Sequence, residues 1–457
     1  MAELMPLLLF VSICLVLLAG YPVAFSLAGT SLLFAGIGIM TGTFDTAFLH
    51  AYPNRVFGNM SNTTLIAVPL FVLMGVMLEK SRIAEELLET MGIAFSRIPG
   101  GLGISVVIVG MLLAASTGIV GATVVTMGLI ALPSMLRQGY APSLAAGTIC
   151  ATGTLGQIIP PSIVLVLLGD ILSSAYQQAQ LAAGSFAPKI VSVGDLFIAA
   201  LVPGFVLVLA YLGYLLAVAI LRPDRAPAVP SQNQTVGTMR LLSGLLPPLL
   251  LMLTVLGSII AGAATPTEAA GLGALCATVL AAGKGQLSRE RLREVANATL
   301  EVTSMVFMIL LGAAVFSLVF RGFGGDEQVA HLFDHLPGGT FGAVAVVMLV
   351  IFLLGFILDF IEITFVVVPI VAPVLFSMGV DPLWLGIMIA VNLQTSFLTP
   401  PFGFALFYLR GVAPASLPTA AIYRGALPYI VIQILLLASF AIWPDIITWL
   451  PSQMGNR

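Results

Sequence analysis

The stretch "TLGQIIPPSIVLVLL" at residues 154–168 places two adjacent prolines inside an apolar segment. A second stretch, "TSFLTPPFGFALFYL" at residues 395–409, has the same feature, and its first proline follows that of the first stretch by 240 positions. Proline lacks a backbone N–H, and its ring clashes with the carbonyl group four residues earlier. Each pair is therefore expected to break a helix.

The composition around these breaks is that of a membrane protein. Of 457 residues, 59% are hydrophobic and 8% are charged, whereas a typical soluble domain has roughly 25% charged residues. The N-terminal apolar segment carries Glu3 and lacks a basic region before it, so we interpret it as a retained span and not as a cleaved signal. The predicted fold class is an all-α polytopic membrane protein, embedded in a lipid bilayer.

Hydropathy predicts ten spans and two hairpins. A span needs about 20 apolar residues, and two further apolar pairs, at 101–136 and 339–377, each return the chain to its starting side. Whether these pairs re-enter the membrane or cross it fully is open at this point. The predicted spans lie near residues 4–20, 22–41, 62–79, 142–171, 194–221, 241–262, 265–283, 302–320, 383–409 and 426–448.

The positive-inside rule orients the chain. With the N-terminus outside, 13 of the 17 Lys and Arg residues lie on the cytoplasmic side. Both termini are then predicted to be periplasmic, and residues 222–240 form a cytoplasmic linker between the halves. The four basic residues on the outer side are Arg55, Lys189, Arg321 and Arg457.

The two halves repeat each other at an offset of 240 positions, and five ordered matches make chance a poor explanation. Each half contains about five crossings, an odd number, so the repeats are predicted to be inverted. Inverted repeats with discontinuous helices at corresponding positions are typical of secondary transporters with a midplane site. The matched pairs are Pro133 and Pro373, Gly139 and Gly379, Pro142 and Pro382, Pro160 and Pro400, and Pro161 and Pro401.

The breaks deprive backbone carbonyl groups of their helical hydrogen bonds, which in hydrocarbon costs several kcal/mol per group. A bound cation such as Na⁺ satisfies such carbonyls, and the adjacent segments "ATGTLGQ" (151–157) and "NLQTS" (392–396) add hydroxyl oxygens. The alternative is an ordinary proline kink satisfied by Ser, Thr and water. Because the two breaks are repeat-related, we favour an ion site at each.

The hairpin turns read "AASTGIVGATV" (114–124) and "FILDFIEITFV" (356–366). If the hairpins are re-entrant, their tips meet the broken helices inside the membrane. Asp359 then needs a cation or a proton, because an acid at the bilayer centre costs about 2.5–3.5 kcal/mol on insertion scales. If the hairpins cross fully, Asp359 and Glu362 lie in cytoplasmic turns. "STGIVGAT" is a poor aqueous loop, so we predict re-entry.

Other polar residues have simpler explanations. Thr265, Pro266 and Glu268 have the spacing of a helix capping box. His331 and His335 lack a third metal ligand nearby. The sequence contains no nucleophile-and-base set, no phosphate-binding loop and no basic segment suited to nucleic acid, so it predicts neither an enzyme nor a nucleic-acid partner.

Three segments resemble one family. "TGTLGQIIPPS" (152–162), "TPTEAAGLGA" (265–274) and "NLQTSFLTPPFGFALFYL" (392–409) are similar to the DctM-like large membrane subunit of TRAP transporters, the tripartite ATP-independent periplasmic carriers. The likeness covers essentially the whole chain. It implies uptake of an organic acid across the bacterial inner membrane, driven by a Na⁺ gradient. It also implies two partners, a periplasmic substrate-binding protein and a small four-helix membrane subunit.

The resemblance further implies an elevator mechanism, in which the hairpin and broken helix of each repeat slide as one body past a fixed scaffold. The scaffold would comprise residues 1–96 and 241–336, and the transport parts residues 97–221 and 337–457. Each transport part would contain a hairpin and a broken helix, namely hairpin 101–136 with broken helix 142–171, and hairpin 339–377 with broken helix 383–409.

The resemblance also implies two Na⁺ sites with the substrate between them. No arginine is placed by the sequence to bind a carboxylate directly, so anion binding would depend on Na⁺ and on helix N-termini. The implied first Na⁺ site is Ser116, Gly153, Gly156 and Pro160, the second is Asp359, Thr395, Thr399 and Pro400, and the substrate residues are Thr117, Gln157, Asn392 and Gln394.

Two rival functions stay open on the sequence. A stand-alone Na⁺-coupled di- or tricarboxylate symporter would share this general architecture and would work without partner proteins. A channel or passive membrane subunit would show uncoupled flux or none, although such a protein has no need of two repeat-related breaks. A proton could also replace Na⁺ at Asp359 or Glu362.

Overall fold

A computed structural model of the chain describes residues 4–81, 83–185, 187–228 and 238–454. Within these ranges the side chains of Ser116 and Thr117 are not described, and part of the predicted linker 222–240 falls outside the ranges. The described residues form helices and connecting segments without strands, so the predicted all-α class is confirmed for this part of the chain.

The first half contains eleven α-helices within the described ranges, and short 3₁₀ turns occupy Thr64–Ile66 and Leu155–Gln157. The helices are α1 (Met5–Leu18), α2 (Val23–Thr41), α3 (Ala47–His50), α4 (Tyr52–Ser61), α5 (Ala67–Lys80), α6 (Ile83–Ala94), α7 (Gly101–Thr117), α8 (Val120–Arg137), α9 (Pro142–Thr154), α10 (Ile163–Ala182) and α11 (Val193–Leu221).

The second half contains eleven more in the described ranges, and a π segment at Ile363–Val367 joins two of them into one arm, 360–377. The helices are α12 (Thr238–Ile260), α13 (Pro266–Gly283), α14 (Arg289–Gly322), α15 (Gly325–Asp334), α16 (Gly339–Leu354), α17 (Phe360–Glu362), α18 (Val368–Ser377), α19 (Pro382–Leu398), α20 (Phe404–Val412), α21 (Thr419–Ile442) and α22 (Asp445–Met454).

Several helix ends follow directly from local sequence. Thr265 caps α13 by accepting from the Glu268 backbone N–H, while the Glu268 carboxylate accepts from the Thr265 N–H at 2.7 Å. The predicted capping box is therefore confirmed. Ser192 and Asp195 form the same motif at the start of α11. Proline at the first helical position starts α9 and α19, where its missing N–H has no helical partner to lose.

Six described helices are long and apolar enough to cross a membrane, or seven if the bent pair 47–61 and 64–80 counts as one span. The longest of them, α14, begins at Arg289, whereas hydropathy predicts a span only over 302–320. Its first three turns carry charged residues, which continue the helix beyond the apolar segment. Hydropathy detects the part of a helix that suits lipid and not the full helix.

Two pairs of helices around the breaks begin at repeat-related positions. The second arm of the first hairpin starts at Val120 and that of the second starts at Phe360, and both helices that follow begin at a proline, Pro142 and Pro382. These starting points differ by the predicted offset of 240. We call α7 and α8 hairpin 1, α16 to α18 hairpin 2, residues 155–162 break 1 and residues 399–403 break 2.

The helices pack in two groups. The early helices of both halves pack on one another, with α5 against α13 and α14 and α2 against α14. The helices near the breaks form the second group, in which α9 contacts α8 and α21, and α10 contacts α18 and α19. Contacts between the groups also occur, for example between α6 and α7. The division into scaffold and transport parts, and the inversion of the repeats, stay predictions.

Candidate functional site

Break 1 interrupts the path from α9 to α10 completely. After the 3₁₀ turn the chain passes through the cis Pro160–Pro161 peptide, and α10 begins at Ile163. The Ser162 hydroxyl donates to the Gly156 carbonyl at 2.7 Å and lies 3.3 Å from the Gln157 carbonyl oxygen. The serine hydroxyl thus replaces part of the hydrogen bonding that the backbone carbonyls lose at the prolines, as expected for an ordinary proline kink. Each carbonyl oxygen has two lone pairs, so coordination of a cation is still possible.

Hairpin 1 lies directly against break 1. A Cβ atom placed on Gly156 would lie 2.8 Å from the Ala114 carbonyl oxygen, and one on Gly118 would lie 3.1 Å from the Ile163 backbone nitrogen. Gly118, with φ +61°, also caps the C-terminus of α7. The backbone of the hairpin tip therefore approaches the start of α10 as closely as only glycine permits.

Of the other residues expected at the first site, Gly153 packs in the same way on Val124 of α8. Ser116 and Thr117 are the last residues of α7, next to the tip, but their side chains lie outside the described part of the structure. The structure thus brings the backbones of these residues to break 1, with α7 and α8 both in contact with α9.

Break 2 follows α19, which ends at Leu398 and resumes as α20 at Phe404 after a cis Pro400–Pro401 peptide. The Thr395 hydroxyl donates to the Val391 carbonyl at 2.8 Å, and the Thr399 hydroxyl donates to the Thr395 carbonyl at 2.7 Å. A hydroxyl that donates its proton keeps its oxygen lone pairs. Both threonines can therefore still act as neutral oxygen ligands.

Hairpin 2 lies against the end of α19. A Cβ atom placed on Gly355 would overlap the Ser396 hydroxyl, so the first arm and α19 meet within one turn of break 2. The Asn392 side chain donates to the Met348 carbonyl of α16 at 2.7 Å. Both double-proline segments are thus discontinuous, and each lies beside a hairpin tip.

Asp359 and Glu362 form a capping box at the start of the second arm of hairpin 2. The partly buried Asp359 accepts from the Phe360 N–H at 2.7 Å, and the buried Glu362 accepts from the Asp359 N–H. Neither role is evident from the sequence, where the two acids are expected to need a cation or a proton. The N-terminus of the arm supplies part of the positive charge that Asp359 requires.

Tyr408 of α20 contacts hairpin 1 and lies near the two acids of hairpin 2. It is close enough to Asp359 and Glu362 for their charges to act on its hydroxyl. A Cβ atom on Gly121 of hairpin 1 would lie 2.9 Å from its ring. Sequence reasoning missed this residue, because nothing in the local pattern of α20 separates it from an ordinary membrane tyrosine.

The side chains of Gln157 in break 1 and Gln394 in the last turns of α19 are completely buried. Gln394 donates to the Thr154 hydroxyl at 3.2 Å, but its carbonyl oxygen has no partner among the described residues. For Gln157 neither the amide nitrogen nor the oxygen has one. Buried polar groups without partners are uncommon in native proteins, and an ordered water or a ligand would satisfy these amides.

A chain of buried hydrogen bonds joins the two halves near these glutamines. Gln433 of α21 donates to the Tyr211 hydroxyl of α11 at 2.8 Å, and Tyr211 also interacts with Thr154. The hydroxyl groups of Thr148 and Tyr429 lie 2.7 Å apart. Every member of this polar seam lies in a segment predicted to belong to a transport part. The sequence shows these residues only as isolated polar side chains in apolar helices.

Within the described residues, no group of three or more His, Cys, Asp or Glu side chains could hold a metal ion. A cation at either break would depend on carbonyl and hydroxyl oxygens, with Asp359 as the one carboxylate expected at break 2. Such oxygen ligands suit an alkali cation and not a transition metal.

The sequence of the whole chain agrees with this architecture. A family model described as "Tripartite ATP-independent periplasmic transporter, DctM component" matches residues 10–446. The chain belongs to this DctM family. The resemblance noted on the three sequence segments is thereby confirmed, and the protein is a multi-pass membrane component of the TRAP transporter class.

Relatives in the DctM family extend over nearly the whole chain. The C4-dicarboxylate TRAP transporter large permease protein DctM of Pseudomonas aeruginosa is 32% identical over 408 residues, which are 88% of this chain and 89% of that protein. The sialic acid TRAP transporter large permease protein SiaM of Vibrio cholerae is 26% identical over 436 residues, covering 95% and 96%.

One solved structure has a similar fold. The YdaH transporter of Alcanivorax borkumensis superposes with a TM-score of 0.59 and covers 96% of this chain and 98% of its own, at 15% sequence identity. At this identity the likeness concerns the fold alone. This DctM-family chain thus has the fold of a known membrane transporter.

Proposed function

We propose that this chain is the large membrane subunit of a Na⁺-coupled transporter that imports an organic acid across the bacterial inner membrane by an elevator mechanism. Membership of the DctM family supports the transporter class. The observation that carries the proposal further is the pair of repeat-related helix breaks, each with a hairpin tip against it.

The coupling ions are proposed to bind at the breaks. At break 1 the ligands would be backbone carbonyls near Gly153, Gly156 and Pro160, with Ser116. At break 2 they would be Asp359, Thr395 and Thr399, next to Pro400. Carbonyl groups at unwound helix ends carry partial negative charge and bind Na⁺ in transporters of this general architecture. A proton at Asp359 or Glu362 is the alternative coupling ion.

The substrate is proposed to lie between the two breaks, near Thr117, Gln157, Asn392 and Gln394. The unpartnered amides of Gln157 and Gln394 support this location, because a ligand with both donors and acceptors would satisfy them. Asn392 is the weakest member of the group, since its amide nitrogen already donates to the Met348 carbonyl.

Movement as one body is supported by the polar seam. Its hydrogen bonds join α9 to α19 and α21, and α11 to α21, so they tie the transport part 97–221 to the transport part 337–457. A buried hydrogen-bond network specifies one relative arrangement of the helices that carry it. Residues 1–96 and 241–336 are then proposed to form the fixed scaffold.

Two partners are proposed, a periplasmic substrate-binding protein and a small four-helix membrane subunit. The tripartite character of the transporters for which the family is named supports them. Relatives named for C4-dicarboxylates and for sialic acid support an organic acid as cargo. Both chain termini are proposed to be periplasmic, following the distribution of Lys and Arg.

The test is uptake into vesicles that contain this chain with its genomic neighbours, using radiolabelled succinate and sialic acid as probes. We expect uptake only when an inward Na⁺ gradient and the binding protein are both present. Uptake by this chain alone would favour the stand-alone symporter. Uptake that does not change when Na⁺ is replaced by K⁺ would contradict Na⁺ coupling. Substrate flux down its own concentration gradient, independent of any ion gradient, would favour a channel.

A further inference from the structure

A polar cavity of about 230 Å³ lies away from the two breaks, between α4, α10, α14 and the second arm of hairpin 2. Arg55 of α4 and Arg321 near the end of α14 both line it. These are two of the four basic residues that the positive-inside rule places on the outer side. The cavity also lies between helices predicted to be scaffold and helices predicted to move.

The two arginines differ in their partners. The Arg321 Nε lies 3.1 Å from a carboxylate oxygen of Asp326, and its terminal nitrogen donates to the Gln178 side chain at 3.4 Å. Arg55 is only partly exposed, and among the described residues it has no ion pair within 4.0 Å. The two guanidinium groups are close enough to repel each other, and the Asp326 carboxylate, which acts on both of them, offsets part of that repulsion. An anion bound between them would relieve that repulsion, and the planar guanidinium group suits a carboxylate.

One carboxylate also lines the cavity. Asp170 of α10 accepts from the Asn62 side-chain amide at 2.9 and 3.1 Å, and it pairs with neither arginine. Its remaining lone pairs can accept from a ligand. A ligand with a second negative charge would be repelled by Asp170, whereas a hydroxyl or ammonium group would be attracted.

We propose that this cavity binds a small organic acid with a single carboxylate held between Arg55 and Arg321, and with a hydroxyl or ammonium group that donates to Asp170. The inference rests on the proposed transport function and narrows its substrate class to hydroxy or amino monocarboxylates. The volume fits a molecule smaller than a drug-sized ligand, for which pockets begin at about 300 Å³. The cavity would be the outer binding site that a substrate occupies before it reaches the breaks.

The test measures binding to the full chain in lipid nanodiscs by calorimetry, with three probes. Lactate has one carboxylate and a hydroxyl, propionate lacks the hydroxyl, and succinate has a second carboxylate. We expect lactate to bind most tightly. Arg55→Ala should weaken lactate binding by at least about tenfold, because a charged hydrogen bond is lost. Arg293→Ala, an exposed arginine outside the cavity, is the matched control and should bind like the wild type.

Asp170→Asn tests the second contact. We expect it to reduce the preference for lactate over succinate, because the repulsion of the second carboxylate is removed. Arg55→Gln is a second variant at the arginine, in case Arg55→Ala unfolds, since it retains the polar side chain without the charge. Wild-type lactate affinity in both Arg55 variants, no saturable lactate binding by the wild type, or tighter binding of succinate than of lactate would each overturn the proposal.

The experiments distinguish failure of the proposed transport function from failure of the cavity assignment. Arg55-dependent lactate binding without any Na⁺-driven uptake of any probe would contradict the proposed function and leave the cavity assignment standing. Na⁺-driven uptake by a protein whose lactate affinity does not depend on Arg55 would contradict the cavity assignment alone.

Discussion

Asp359 is a helix cap, and we propose that it is also an ion ligand. Asp359→Asn separates these two roles, because asparagine caps helices about as well as aspartate but carries no charge. We expect the variant to fold with wild-type thermal stability and to lose Na⁺-dependent uptake. The measurement is initial uptake into vesicles as a function of Na⁺ concentration.

The matched control for this substitution is Asp381→Asn. Asp381 is also an N-cap, accepting from the Trp384 N–H at 2.8 Å, but it lies at the far end of α19 from break 2. It should retain wild-type Na⁺ dependence. An unchanged Na⁺ dependence in Asp359→Asn would show that this carboxylate has only a structural role, whereas an altered pH dependence would favour proton coupling.

We expect the Gln157 side chain to lower the free energy of unfolding of the protein and to be required for uptake. Its buried amide has no partner among the described residues, and replacing an unpartnered buried amide with an apolar group is neutral or stabilising. Gln157→Leu should therefore raise the free energy of unfolding by up to about 1 kcal/mol while it reduces uptake. Thermal unfolding in detergent and vesicle uptake measure the two effects.

Gln433→Leu is the comparison. Its amide nitrogen donates to the Tyr211 hydroxyl at 2.8 Å, while its oxygen has no partner among the described residues, so we expect a loss of about 1 kcal/mol in stability. If the two leucine variants change stability equally, Gln157 has a partner that the structure does not show, and its assignment to the substrate region loses its support.

At the scale of elements, the close approach between break 1 and hairpin 1 depends on Gly156. Gly156→Ala would place a Cβ atom 2.8 Å from the Ala114 carbonyl oxygen, which is backbone and cannot rotate away. We expect a loss of about 1–3 kcal/mol in stability, the usual cost of overpacking, together with loss of uptake. Thermal unfolding and uptake are again the measurements.

Gly213→Ala is the control for this substitution. Gly213 lies inside α11, and a Cβ atom there would have no neighbour within 4 Å. Alanine should be neutral or stabilising by up to about 1 kcal/mol, because it favours helix more than glycine does. Wild-type stability and uptake in Gly156→Ala would mean that hairpin 1 and break 1 do not meet as described.

For the whole molecule, sliding of the transport parts past the scaffold predicts that a cross-link between them stops uptake. Gly194 of α11 and Ile259 of α12 lie on the two sides of that boundary, and a Cβ atom on Gly194 would lie 3.3 Å from the Ile259 side chain. We replace both with cysteine in a chain without its three native cysteines and join them with a short thiol-specific reagent. Uptake should stop after cross-linking and return after the link is reduced.

A link inside the scaffold is the control. The Thr267 hydroxyl donates to the Thr63 carbonyl at 2.9 Å, and both residues belong to predicted scaffold segments. A cysteine pair at these two positions should form the same link without reducing uptake. Full uptake by the protein linked between residues 194 and 259 would contradict relative movement at this boundary.

A structural feature could be predicted from the sequence when the residues that cause it lie close together in the chain. The starts of α9 and α19 at prolines and the capping box at Glu268 were predictable, because each depends on residues within one helical turn. The extension of α14 to Arg289 was not, since charged residues outside lipid leave no hydropathy signal. The cap formed by Asp359 was missed because this acid was interpreted from the sequence only as a charge inside the membrane or as part of an aqueous turn, and neither interpretation predicts a helix start.

By itself the sequence determined a helical membrane protein with two related halves and a broken helix in each, because apolar length and proline geometry act along the chain. Only the tertiary structure decided which distant side chains meet. Tyr211 and Gln433 are 222 residues apart, and Arg55 and Arg321 share a cavity although they lie in different halves. Such contacts depend on how helices pack in three dimensions, and no local pattern in either segment encodes its partner.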